Sequence, residues 1–140
     1  MKWKLTLAAL AALVVAVATP ATAGPSQQTK AVSVNFRMVE WDILPLTATK
    51  TRSSRVTFVV RNTGKLTHEF VVLKTAKAAG RLAAPSAREA PETGARGEIE
   101  EIKPGETKRL TLNLTKGHYS LICNLPFHYG RGQFVDFYVR

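Results

Sequence analysis

The sequence predicts an all-β protein, an antiparallel β-sandwich of about seven short strands interrupted by one long insertion. Two positive observations point there. Apolar and polar residues alternate in several short runs, the period expected of a strand with one buried face. Turn residues such as Asn62-Thr63-Gly64, Pro104-Gly105 and Lys116-Gly117 punctuate those runs. A third observation is negative: the chain has no βαβ alternation, internal repeat or heptad pattern.

The N-terminus stands apart from the domain. Met1 to Lys4 is basic, Leu5 to Ala18 is apolar, and Ala21-Thr22-Ala23 has the small-x-small pattern of a cleavage site. Together these predict a secretory signal peptide over residues 1–23, since the apolar run is too short to span a bilayer comfortably. Export would place the mature chain in the periplasm or outside the cell. Residues 24–31 are polar and predict a loose leader, leaving 32–140 as the folded domain.

Within it, Val32, Val34, Phe36 and Met38 alternate as a first strand. Trp41 to Leu46 is broken by Asp42 and Pro45 and suits an irregular edge or turn. Val56, Phe58 and Val60 mark the next strand, and Phe70 to Leu73 another. From Lys74 to Arg96 the alternation is lost among Ala, Pro, Gly, Arg and Glu, which predicts a surface insertion, with a short helix over Ala76 to Ala84. Strand character returns at Gly97 to Ile102. It continues through Leu110, Leu112 and Leu114, then Tyr119, Leu121 and Cys123, then Val135, Phe137 and Val139.

The formal charge is +10, from 20 Lys and Arg against 10 Asp and Glu. Acidic partners or anionic surfaces fit that balance. Nucleic acid does not, because the basic residues are scattered and no basic helix or aromatic-basic stacking motif is present. The single cysteine excludes an internal disulfide. In an exported chain such a thiol is either a small buried side chain or a metal ligand.

Its neighbourhood favours the second choice. Cys123 ends one strand, His128 lies five residues on in the turn, and Gln133 begins the return strand. His68 precedes an upstream strand and follows an Asn-x-Gly turn. Singly, each has a plainer reading: a core cysteine, solvated histidines, an incidental glutamine. Jointly, a thiolate, two imidazoles and a weak oxygen donor suit one copper ion. His118 falls on the opposite strand face from Cys123 and is expected at the surface.

Asn62-x-Gly64, Thr67-His68-Glu69-Phe70, Pro104-Gly105-Glu106 and Gly117-x-Tyr119-x-x-x-Cys123-Asn124-Leu125-Pro126-x-His128-Tyr129-x-x-Gly132 together resemble the cupredoxins. The small exported plastocyanin-like and sulfocyanin-like blue-copper proteins are the nearest in pattern. The resemblance runs from about Val32 to Val139. It implies a Greek-key sandwich holding one type 1 copper through His68, Cys123 and His128. Two residues depart from the family pattern. Phe127 stands where glycine is usual, next to a ligand. Gln133 stands where the family usually has an axial Met, and the stellacyanins use Gln in that role. An amide oxygen is harder than a thioether and favours Cu(II).

The resemblance implies a monomeric electron carrier that meets an acidic docking surface on a redox partner. The patch expected around His128 comprises Phe127 and Tyr129, with Lys65 and Arg131 steering. Periplasmic copper storage, delivery or resistance would use the same ligands without electron transfer. An enzyme is disfavoured: His68, His118 and His128 are the only histidines, too few for multicopper chemistry.

Overall fold

A computed structural model describes residues 30–84 and 89–140. The signal peptide and most of the leader expected from the sequence lie outside the described residues. Among the described residues nine strands form two sheets. The first has the order β2 (Asp42–Pro45), β1 (Val32–Val39), β4 (Arg55–Asn62), β7 (Thr107–Asn113). The second runs β3 (Lys50–Thr51), β9 (Phe134–Val139), β8 (Gly117–Ile122), β5 (His68–Lys74), β6 (Ala95–Ile102). The chain passes between the sheets repeatedly rather than completing one before starting the other.

The alternating runs do bury one face. Val34, Phe36, Met38, Val56, Phe58, Val60, Phe70, Tyr119, Leu121 and Phe137 fill the space between the sheets. Phe58 lies at the centre, with ring centroids 6.3, 5.6 and 5.3 Å from Phe36, Phe70 and Phe137. Tilted and edge-on aromatic pairs at these distances add to the burial energy.

Three features differ from the sequence expectation. Both sheets are mixed, because β1 pairs in parallel with β4 and β3 with β9. Period-two alternation reports which face is buried and says nothing of strand direction. The segment expected as an irregular edge or turn at Trp41 to Leu46 does lie at an edge, but as a regular strand, β2, where Pro45 needs no partner for its missing N–H. In the insertion the helix expected over Ala76 to Ala84 is a single 3-10 turn, Ala79–Arg81. Strand β6 begins at Ala95, inside the expected insertion.

The insertion covers the outer face of β5 and β8. Ala90, with Leu82 and Ala84 at its edge, packs on Val71, Leu73, Ile122 and Tyr129 as a second apolar cluster. Ser120 and Ile122 are therefore buried as well as Tyr119 and Leu121, and strand β8 is covered on both faces. Truncating Phe58 to Ala should cost about 3–5 kcal/mol of unfolding free energy, read as a lower urea midpoint at unchanged m-value.

Candidate metal centre

Four of the sequence-predicted residues meet at one end of the sandwich. His68 is the first residue of β5, Cys123 directly follows β8, and Gln133 directly precedes β9. The Cys123 N–H donates to the Gln133 carbonyl at 3.0 Å, closing the base of the loop between β8 and β9. Within that loop the His128 N–H donates to Leu125 O at 3.0 Å. This makes a four-residue turn with Pro126 and Phe127 at its centre. Phe127 has φ 71°, a left-handed value. A turn with proline at its second position and positive φ at its third is of type II form and favours glycine there. Phe127 occupies the backbone conformation that glycine would take, and its ring is 53% exposed.

The donor atoms converge. Cys123 Sγ lies 3.2 Å from His128 Nδ1 and 4.0 Å from His68 Nδ1. The two Nδ1 atoms are 3.3 Å apart. A metal with bonds of ~2.0 Å to nitrogen and ~2.3 Å to sulfur holds such ligands about 3.3–3.7 Å apart, so the three fit one ion. Gln133 Oε1 is 2.9 Å from His128 Nδ1. Its Nε2 donates to Val39 O at 2.6 Å, with Asp42 O further off at 3.4 Å. A backbone carbonyl can only accept, so these contacts turn the amide oxygen toward the cluster.

Burial sets the protonation states. His68 and His128 both titrate below the ordinary imidazole value, first because burial disfavours their charged forms. For His68 the neighbouring His128 adds to this. Both rings are neutral at pH 7, as ligands must be. Burial likewise pushes the Cys123 thiol up to about 11, although the Glu69 N–H donates to Sγ at 3.2 Å. Without a metal the sulfur is therefore protonated.

The site is buttressed by residues beside the donors. Asn124 accepts from Ala90 N–H at 2.7 Å and donates to Ala90 O at 3.0 Å and to Glu92 at 2.7 Å. Tyr129 is buried rather than displayed near His128. Its hydroxyl donates to Ala79 O at 2.7 Å and accepts from Leu82 N–H at 2.9 Å. Both ties run from the Cys123-to-Gln133 loop into the insertion. The surface place expected for Tyr129 is taken by Trp41, whose ring meets His128 edge-on at 5.2 Å. The Arg131 guanidinium stacks 4.2 Å above Trp41. The sequence reading missed Trp41, which stands in the connection between β1 and β2 with φ 69°.

Two further ionisable residues, Glu69 and His118, stand outside this donor cluster. Glu69 is half-buried, and its carboxyl is pushed up to about 7, first by burial and then by Glu92. His118 lies on the face opposite Cys123 but is engaged: Nδ1 faces Thr75 O at 2.6 Å and Nε2 faces Asp136 at 2.7 Å.

The architecture matches solved structures of the cupredoxin fold. Auracyanin from Roseiflexus castenholzii superposes with TM-score 0.58 at 18% identity over 79% of this chain and 99% of that one. Auracyanin A from Chloroflexus aurantiacus, described as a "blue" copper protein, gives 0.59 at 21% over 79% and 100%. Rusticyanin from Thiobacillus ferrooxidans gives 0.58 at 16% over 81% and 79%. No family model matches the chain, and no curated protein matches it by sequence. The chain thus has the cupredoxin fold, and the fold brings His68, Cys123, His128 and Gln133 together.

Two outcomes test this geometry. Phe127→Gly should stabilise the fold by about 1 kcal/mol by relieving the left-handed strain, measured by urea denaturation. A metal bound through Sγ must displace the Cys123 proton while both imidazoles are already neutral. Its apparent affinity should then rise about tenfold per pH unit between pH 7 and 8, read by chelator competition.

Proposed function

We propose that this protein is an exported electron carrier with one type 1 copper, held by His68, Cys123 and His128 with Gln133 Oε1 as a weak fourth donor. The observation that carries this reading is the convergence of Sγ, two Nδ1 atoms and an amide oxygen in one buried cluster. A thiolate with two imidazoles and a long axial donor is the ligand set of blue-copper sites. The similarity in fold to auracyanin and rusticyanin agrees with it.

Copper in such a site supplies a one-electron couple between Cu(II) and Cu(I). The chain's own residues do the rest. The sandwich and the ties made by Asn124 and Tyr129 brace the donors, and would limit their movement between the two oxidation states of a bound copper. His68 and Cys123 are fully buried, while His128 keeps 8% exposure beside the Trp41 ring. Electrons would pass at that edge. The donors are buried and only His128 among them reaches the surface, which suits a carrier better than an enzyme that must admit a substrate.

Phe127 and Leu66 expose apolar surface at this end, and Lys65 and Arg131 are exposed cations nearby in the chain. An acidic partner surface is the complement of that patch, steered by charge and docked by burial of the ring. Among the described residues no helix is long and apolar enough to cross a membrane.

Titration with Cu(II) should produce an intense visible thiolate-to-copper band that saturates at one equivalent and is absent in Cys123→Ser. Gln133→Met should keep the band and raise the reduction potential, because a thioether favours Cu(I). No band at stoichiometric copper would overturn the carrier. A band without a reversible potential would favour copper delivery or storage.

A further inference from the structure

One fully buried nitrogen of the cluster, His68 Nε2, has no hydrogen-bond partner among the described residues. A buried imidazole N–H without an acceptor costs about 1–3 kcal/mol, so its surroundings need an explanation. The nearest anionic group is Glu40, whose Oε1 lies 3.9 Å from Nε2. That distance is too long for a hydrogen bond and short enough for direct electrostatic attraction or a bridging water.

Glu40 is held there by the turn that leads into β5. Its Oε1 accepts from the Leu66 N–H at 2.8 Å and from the Lys65 N–H. Asn62 shapes the same turn: its Oδ1 accepts from Gly64 N–H at 2.8 Å, and its Nδ2 donates to Leu66 O and Ile102 O. A Cβ on Gly64 would overlap the Glu40 carboxylate, so glycine permits the approach. The carboxylate is thus aimed by backbone and by packing, and only 30% of the side chain is exposed.

The other ring nitrogen agrees with this placement. Gln133 Nε2 is 3.1 Å from His68 Nδ1, which as an acceptor leaves the ring proton on Nε2, facing Glu40. A ligand histidine whose far N–H faces a carboxylate is fixed in orientation and made a stronger donor.

We infer that Glu40 is a positioning residue for His68: it holds the imidazole with Nε2 protonated and Nδ1 directed at the cluster, and its charge favours Cu(II) over Cu(I) at that site. The second half of this inference rests on the copper reading above. The first half belongs to the protein without metal.

Glu40→Gln separates this role from a purely structural one. The amide oxygen can still accept from the Lys65 and Leu66 N–H groups, so the turn is retained while the charge is lost. Affinity for Cu(II) should fall about tenfold relative to that for Cu(I), which is an upward potential shift of about 59 mV, with the thiolate band preserved. A potential and an affinity ratio equal to wild type would overturn the charge role. Glu40→Ala provides the second arm, read by imidazole ¹⁵N NMR of the metal-free protein. Wild type should show His68 in the Nε2–H tautomer, and the Ala variant a mixture of both. An unchanged tautomer would overturn the positioning role. Absence of any copper band in wild type would defeat the carrier reading alone, and the NMR arm would still decide for or against Glu40 as a positioning residue.

Discussion

Holding four polar side chains side by side in a dry end of the sandwich is the constraint on which the rest of this structure depends. Cys123, His68 and Gln133 are fully buried and His128 nearly so. Desolvation of that degree strips charge from imidazoles and keeps a thiol protonated. The same packing brings Cys123 Sγ within 3.2 Å of His128 Nδ1 and 4.0 Å of His68 Nδ1. Such a cluster is stable as a preformed site only if the backbone around it cannot relax.

The chain meets that demand with amide side chains and glycines. Gln133 ties the entry of β9 to Val39 and Asp42 at the turn between β1 and β2. Asn62 ties the turn before His68 to β6 through Ile102 O. Asn124 and Tyr129 fasten the Cys123-to-Gln133 loop to the insertion. These ties run from the donors, or from the segments that carry them, to segments distant in sequence, so the cluster is braced from both sheets and from the insertion. The insertion is thereby part of the site's scaffold rather than an appendage. Strain is accepted where it displays side chains: Phe127 and Trp41 both adopt left-handed backbone, with the Trp41 ring edge-on to His128 and Phe127 exposed in the adjacent position.

Charge follows the same plan. The interior holds neutral donors, while Arg131 and Lys65 lie exposed at the same end of the molecule. One carboxylate, Glu40, approaches the cluster from behind His68. The distribution keeps the buried donors apart from the exposed cations.

Sequence alone determined the burial pattern, because alternation at Val34, Phe36, Met38 and at Val56, Phe58, Val60 is a property of local backbone geometry. It also singled out His68, Cys123, His128 and Gln133, which the fold brings together, because a lone cysteine with histidines and a glutamine at turn-and-strand spacing has few chemical uses. The conflict at Phe127 was legible too, as a side chain in a turn that favours glycine. Only the tertiary structure decided the parallel pairing of β1 with β4, which depends on contacts between distant strands. It decided that Tyr129 turns inward to Ala79 and Leu82 while Trp41 comes to lie against His128. It also decided that Glu40, 28 residues before His68 in the chain, becomes its neighbour. None of these carries a local signal, because each depends on which segments long-range packing brings together.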